Sequence, residues 1–225
     1  RRLINMRLSG LPVSYIRKEK EFFGRDFHVD SRVLVPRPDT ETLVEWALEI
    51  IGPAPLQKPF TVLDLCTGSG CIGITLKLER PAITVLASDI SQDALEAAAI
   101  NAEKHGADVS FTQSSLFNNI SGSFDLIVTN PPYLTSCELR ALTEQGWPEP
   151  EISLDGGEDG LDLIRKIITA SLDYLKDNGY LLIEAGPGQS KAIKELMDKQ
   201  GYSDIFIKRD LAGRDRITGG KKSGR

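Results

Sequence analysis

Short apolar runs alternating with stretches of helical periodicity fill most of the chain. Runs near 60–65, 82–88, 108–112, 124–129 and 180–184 predict strands, and apolar residues at helical spacing predict helices near 71–79, 91–105, 160–177 and 188–200. Runs this apolar belong to strands buried on both faces, as in a parallel sheet covered by helices. Two further runs, 203–208 and 214–218, flank Asp210-Leu211-Ala212-Gly213 and predict an antiparallel terminal hairpin, so the sheet is expected to have seven strands, most of them parallel. From Gly219 onward the chain reads as a disordered tail.

Upstream of the sheet, Asp39 reads as the N-cap of a helix in which Leu43, Val44, Ala47, Leu48 and Ile51 recur at helical spacing until Gly52-Pro53 stops it. Residues 11–37 mix Phe22, Phe23, Phe27, Val29, Val33 and Val35 with Gly24 and Asp30, which predicts a short β-ribbon before Pro36. The expected organisation is a ribbon and linker over 1–37, an α/β body over 38–219 and a flexible tail over 220–225. Because the chain opens on Arg1-Arg2 in place of Met, 1–37 is expected to be the remnant of a larger N-terminal region.

With 225 residues, 40% of them hydrophobic, the chain can bury one full core. A formal charge of -5 gives no footprint for a phosphate backbone, so direct nucleic-acid binding is not expected. The odd set Cys66, Cys71 and Cys137 lacks metal-ligand spacing, and His28 and His105 lie far apart, so neither a disulfide framework nor a metal site is expected. The cysteines read as small fillers and the histidines as surface or loop residues. Without a membrane-length apolar run or a signal-peptide core, the expectation is a cytoplasmic monomer with no membrane partner.

Candidate chemistry begins where Thr61-Val62-Leu63-Asp64-Leu65 meets Cys66-Thr67-Gly68-Ser69-Gly70-Cys71-Ile72-Gly73, a strand, a glycine turn and a helix start. Gly68, Gly70 and Gly73 fit the dinucleotide pattern, and Asp89 ends the next strand where an acid can hold ribose hydroxyls. Asp64 favours S-adenosylmethionine over NAD: a carboxylate at the strand end repels a pyrophosphate and suits the ammonium of an amino acid. The plainer role for Asp64 is to fix the turn by hydrogen bonds to loop amides. For Asp89 the plainer role is at the start of the following helix, although Ser91 supplies a better cap.

Phe124 to Thr129 then runs straight into Asn130-Pro131-Pro132-Tyr133, at the sheet edge where ligands of open α/β folds bind. The prolines stiffen the segment and offer carbonyls without competing N–H groups, and Asn130 is held extended before Pro131. An amide or aromatic amine nitrogen is a weak nucleophile because its lone pair is delocalised. The Asn130 oxygen and the Pro131 carbonyl can each accept one of its N–H groups, aiming the nitrogen at a methyl donor, while Tyr133 packs on the planar group. The alternative is a proline-rich turn that merely ends a strand.

Taken together, Val35-Pro36-Arg37-Pro38-Asp39-Thr40-Glu41, Asp64 to Gly70, Asn130 to Tyr133, Glu149-Pro150, Gly156-Gly157, Asp159-Gly160-Leu161, Glu184 and Asp210 to Arg216 resemble the protein-(glutamine-N5) methyltransferases that modify the Gly-Gly-Gln loop of class-1 peptide chain release factors. The resemblance spans nearly the whole chain. It implies a Rossmann-like class I S-adenosylmethionine-dependent methyltransferase and a release factor as partner. It also implies a cofactor loop over Cys66, Thr67, Gly68, Ser69 and Gly70, a ribose on Asp89, and a glutamine pocket over Asn130, Pro131, Pro132 and Tyr133. Where the family usually has Gly, this chain has Cys66, and an aromatic residue beside the adenine is replaced by Leu116 with Phe117 next to it. Arg37, Thr40 and Glu41 either close over the cofactor or are ordinary first-turn residues, and Glu184 reads as structural. The clamp alone serves an N6-adenine or N2-guanine acceptor as well as a glutamine, and a noncatalytic module that keeps the cofactor fold is the reading from another class.

Overall fold

The computed structural model describes residues 2–56 and 58–224. Two short helices, α1 (Arg2–Leu8) and α2 (Val13–Arg17), precede the ribbon, which is a tight hairpin of β1 (Lys20–Phe22) and β2 (Arg25–Phe27). The sequence pattern had placed only ribbon over 11–37. Helix α2 escapes it because five residues hold too little periodicity to register. A 3-10 turn at Pro38–Thr40 then leads into α3 (Glu41–Ile51). Asp39 is not its N-cap as expected: Arg216 at 2.7 Å and Arg214 at 3.2 Å take its carboxylate.

Strand β3 (Thr61–Leu65), helix α4 (Cys71–Glu79), β4 (Thr84–Asp89), α5 (Gln92–His105), β5 (Ser110–Gln113) and β6 (Phe124–Thr129) follow in alternation. Helix α6 (Ser136–Glu144) comes next, then α7 (Asp162–Tyr174), β7 (Leu175–Glu184), α8 (Ser190–Lys199), β8 (Tyr202–Arg209) and β9 (Asp215–Lys222). The sheet order is β5-β4-β3-β6-β7-β9-β8, parallel as far as β7 and antiparallel across β9 and β8. The seven-stranded, mostly parallel sheet with a terminal antiparallel hairpin is the arrangement that the pattern predicts, and it agrees with the fold that the resemblance implies.

Alternation along the strands divides the core. Val62, Leu126, Val128 and Leu182 face α3 and α4, whereas Leu63, Leu65, Ile127, Leu181 and Ile183 face Ile164, Ile167 and Ile168 of α7 and Ile193 and Met197 of α8. A third cluster seats Tyr15, Val29, Val33 and Val35 on Ala94 and Ala97 of α5, so the lead-in segment packs on the sheet body. Asn101 of α5, fully buried, ties both together: it pairs with the His28 backbone through its carbonyl and amide, and its Nδ2 also reaches the Ser69 carbonyl at 2.9 Å.

At two places the bounds depart from expectation by more than two residues. Helix α7 ends at Tyr174, not 177, because the chain enters β7 at Leu175 and passes through an irregularity with Asn178 at φ 66° before regular pairing resumes at Tyr180. Strand β9 continues to Lys222, so Gly220, Lys221 and Lys222 of the expected tail are sheet. Glycine has room there where a larger residue does not: a Cβ on Gly219 would stand 2.6 Å from Leu182 Cδ2. The expected tail residue Arg225 lies outside the described residues.

Candidate active site

The order of the sheet reverses at β3. The chain moves from β3 outward through β4 and β5, then returns to β6 on the other side, which opens a crevice at the carboxyl ends of β3 and β6. Leu65 pairs with Thr129 across that crevice, so Cys66 and Asn130, the next residues of each strand, are placed as neighbours. A cavity of about 470 Å³ opens here.

Of the residues expected to hold a cofactor or substrate, Cys66, Thr67, Gly68, Ser69, Asp89, Leu116, Asn130 and Pro132 line this cavity. Asp64, Gly70, Pro131 and Tyr133 do not. Asp64 is fully buried behind the loop, where its Oδ2 accepts from Thr67 Oγ1 at 2.6 Å and from the Gly73 amide at 2.9 Å. Direct pairing with a cofactor ammonium is therefore corrected to anchoring of the turn. Burial pushes its pKa up to about 7, so the charge that favoured an ammonium over a pyrophosphate is weakened at its source. Gly73 serves the same packing, since a Cβ there would sit 2.9 Å from Asp64 Oδ2 and 3.2 Å from Val85. Gly70, at φ 79°, opens α4 against Ala98 of α5 instead of touching the cavity.

Asp89 holds its expected place at the end of β4. One carboxylate oxygen accepts from the Gly68 amide at 2.9 Å and the other from Ser91 at 3.0 Å, which fixes the group at the cavity wall with lone pairs to spare for hydroxyls. Ser91 does cap α5, accepting from the Ala94 amide at 3.2 Å. Burial raises the Asp89 pKa against these hydrogen bonds. Cys66 has φ 61° and Leu116 φ 50°, left-handed values that favour glycine, so both side chains are held toward the cavity by an uncommon backbone. Phe117 does not reach the cavity; its ring stacks on Tyr174 at 4.7 Å in the core.

The segment expected to act as the clamp, Asn130 to Tyr133, follows directly on β6. Asn130 Nδ2 donates to Thr40 Oγ1 at 3.3 Å, which leaves Oδ1 as the end open to an incoming N–H. Among the described residues no loop or turn hydrogen bond ends on the Pro131 carbonyl. The Tyr133 carbonyl is held by Gln189 Nε2 at 2.9 Å, and its ring lies beside Gly186. Burial raises the phenol pKa, and Glu184 adds to the effect. Behind the clamp, a Cβ on Gly156 would approach the Tyr133 Cα to 2.7 Å, and one on Gly160 would collide with the Tyr133 carbonyl. Gln189 and these glycines do supporting work that sequence reasoning left unassigned, although Gly156 and Gly160 stood in the motifs that carried the resemblance.

Arg37 and Thr40 line the cavity, whereas Glu41 turns away to accept the Phe23 amide at 3.0 Å. Arg37 pairs with Glu149, which is nearly buried and also accepts from the Val35 amide at 3.0 Å and from Trp147 Nε1 at 2.9 Å. No helix among the described residues is long and apolar enough to cross a membrane.

Residues 53–145 match the model of the methyltransferase small domain family. A release factor glutamine methyltransferase of Geobacter sulfurreducens is 41% identical over 98% of this chain and 77% of its own length. The enzyme of the same name from Neisseria gonorrhoeae is 43% identical over 98% of this chain and 80% of its own. Among solved structures, a methyltransferase from Pyrococcus furiosus superposes with a TM-score of 0.68 at 20% identity, covering 97% of this chain and 98% of that one. The 16S rRNA N2 G1207 methyltransferase of Thermus thermophilus, solved with AdoMet and guanosine, reaches 0.67 at 17% identity over 91% of this chain and 49% of that one. These two likenesses establish the fold. With relatives this similar over almost its whole length, the chain belongs to the release factor glutamine methyltransferase family.

Proposed function

We propose that this chain methylates the side-chain amide of the glutamine in the Gly-Gly-Gln motif of class-1 release factors, using S-adenosylmethionine. The carrying observation is the state of Asn130: Thr40 holds its Nδ2, and its Oδ1 is left as an acceptor on the wall of a cavity at the sheet's switch point. Two unused acceptors in succession, Asn130 Oδ1 and the Pro131 carbonyl, match the two N–H groups of a primary amide.

The residues present fit the cofactor. The cavity volume falls in the range of roughly 300–1,000 Å³ that small-molecule sites occupy. Asp89 offers carboxylate lone pairs for ribose hydroxyls, Leu116 and Ile90 supply apolar wall for a base, and Gly68 leaves the loop without a side chain. The cofactor supplies an electrophilic methyl on a positively charged sulfur.

Asn130 and Pro131 accept the amide hydrogens and orient the nitrogen lone pair at the methyl carbon. Positive charge developing on that nitrogen during transfer would strengthen its N–H bonds to Asn130 Oδ1 and the Pro131 carbonyl, so the two acceptors would favour the transition state over the ground state. One of those protons then leaves to solvent, so no strong base is needed. Alignment of this kind lowers a barrier by roughly 7–11 kcal/mol in favourable cases.

Incubation with a class-1 release factor and methyl-labelled cofactor, followed by mass spectrometric mapping, tests the reading. A single methyl on the Gly-Gly-Gln glutamine is expected. Labelled nucleic acid with an unmarked release factor would instead identify a base as the planar acceptor, and cofactor binding without transfer to either would identify a noncatalytic module.

A further inference from the structure

A purine base is commonly held by stacking on an aromatic ring or on the plane of an arginine guanidinium. Among the described residues no aromatic side chain lines the cavity, and the guanidinium groups on its wall are those of Arg32 and Arg37. Arg37 belongs to the turn that carries Thr40, at the clamp end. Arg32 belongs to the other end. Its NH1 donates to Glu96 Oε2 of α5 at 3.4 Å, and the next residue, Val33, is buried on Ala94 of the same helix. Asp89, Ile90 and Ser91, which lead into α5, line the same cavity. Arg32 therefore stands at the end where Asp89 offers its carboxylate to ribose hydroxyls.

The Arg32 guanidinium is fixed along its edges. Asp30 takes it in a two-point fork, Nε to Oδ1 at 2.9 Å and NH2 to Oδ2 at 2.8 Å. Asp30 is itself braced, since Oδ1 also accepts the Arg32 amide at 3.1 Å and Oδ2 lies 3.2 Å from His28 Nε2. The fork holds the Asp30 carboxyl well below the usual carboxylate range, so the pair stays ionised at neutral pH. With its edges turned to Asp30 and Glu96, the group has its flat face left for the cavity. On the same wall Ile90 is a large apolar side chain that is 50% exposed, and Leu116 adds to that apolar surface.

We propose that Arg32 binds the adenine of the cofactor by stacking its guanidinium face on the purine, with Ile90 and Leu116 as the apolar wall of the same site. The inference rests on the cofactor reading given above and is independent of which acceptor is methylated. Asp30 and Glu96 are then positioning residues: they hold the plane in place before the base arrives, so little side-chain freedom is lost on binding.

Calorimetric titration with S-adenosylhomocysteine, the demethylated form of the cofactor, compares the unaltered chain with Arg32→Ala and Arg32→Lys. Both variants are expected to bind roughly 2- to 30-fold more weakly, the range of a cation–π contact from exposed to desolvated. Lysine keeps the charge and a bond to Asp30 but has no plane, so a role in charge alone or in bracing Asp30 would leave Arg32→Lys close to the unaltered chain. Independently of affinity, the Arg32 Nε–H signal in the nitrogen-15 NMR spectrum, assigned by its loss in Arg32→Lys, reports the base directly. It is expected to move upfield by ring current when S-adenosylhomocysteine is added, and to stay in place when S-methylmethionine, a sulfonium without a base, is added at the same concentration.

Unchanged affinity in Arg32→Ala, full affinity in Arg32→Lys, or an Nε–H signal that S-adenosylhomocysteine leaves in place each overturns the proposal. If Arg32→Ala does not fold, Arg32→Lys and the NMR titration of the unaltered chain still decide. Bound S-adenosylhomocysteine with a shifted signal and no methyl on a release factor would overturn the function proposed above and keep Arg32 in its role. No binding at all would remove the cofactor from both.

Discussion

At the residue scale, two polar side chains at the ends of neighbouring strands have opposite fates. Asn130 reaches the cavity with one end free, so Asn130→Ala is expected to lower kcat by about 2.7–4 kcal/mol, as for loss of a preorganised polar group in a transition state, while cofactor affinity in a binding titration stays nearly constant. Asp64 is sealed behind the loop. Its folded pKa of about 7 lies above the ordinary 3.8, so its contribution to stability is fully present below pH 4 and is lost as pH rises through 7. Asp64→Asn keeps an acceptor for Thr67 and Gly73 and cannot ionise. The loss of stability between pH 5 and pH 8 should then shrink by on the order of 2 kcal/mol in denaturant unfolding. Cofactor affinity should hardly move, and a drop beyond tenfold would return Asp64 to the role of ligand. The sequence left Asp64 open between these roles because a strand-end carboxylate looks the same from either side of a loop. Only the course of the turn decides which side it faces.

At the scale of elements, the clamp depends on what lies behind it. Gly160 has φ 74° and stands where a side chain would strike the Tyr133 carbonyl, whereas Gly122 has φ 88° with open space around it. Alanine at either position strains the backbone by roughly 1–3 kcal/mol. Only Gly160→Ala should also displace the clamp, so its melting temperature is expected to fall further than that of Gly122→Ala and its transfer rate to fall with it. Equal behaviour of the two variants would mean that the glycine contact does not position Tyr133. The strands and long helices were legible because their apolar residues repeat at periods of two and 3.6. Helix α6 has its sequence signal at its start, not along its length: Thr135 and Glu138 form a capping box, with the Thr135 amide bonded to Glu138 at 2.9 Å and the Glu138 amide to Thr135 at 3.2 Å. Only Leu139 of that helix is buried, which leaves little apolar stripe to find. The lengthened β9 was hidden by its glycines, which fit a strand only because Leu182, Phe206 and Tyr202 crowd the positions their side chains would fill.

At the scale of the molecule, the cavity is lined in part by two segments that the chain separates by more than a hundred residues. Val33, Pro36 and Arg37 come from the lead-in, and Ile152, Ser153 and Asp155 from the loop before α7. The first is tied down by Tyr15, whose hydroxyl donates to the Val33 carbonyl at 2.6 Å. What joins it to the second is Glu149, which accepts from Val35, Arg37 and Trp147 at once. Sequence spacing cannot show such a junction, because nothing local to Glu149-Pro150 names a partner 112 residues away. Removing the carboxylate in Glu149→Ala strands the buried Val35 amide, a cost of about 1–3 kcal/mol for a buried group left unsatisfied, whereas Trp147 is 45% exposed and its indole N–H can turn to water. The half-exposed Arg37 can turn to water and adds little. Unfolding in denaturant should register that loss, and the two lining segments should part more often, so cofactor release in a stopped-flow chase is expected to accelerate by at least about tenfold, while Glu149→Gln, which retains one acceptor, falls between. A release rate equal to that of the unaltered chain, in a variant destabilised as expected, would separate the junction's structural role from cofactor retention and leave the latter to the glycine loop, Asp89 and Arg32.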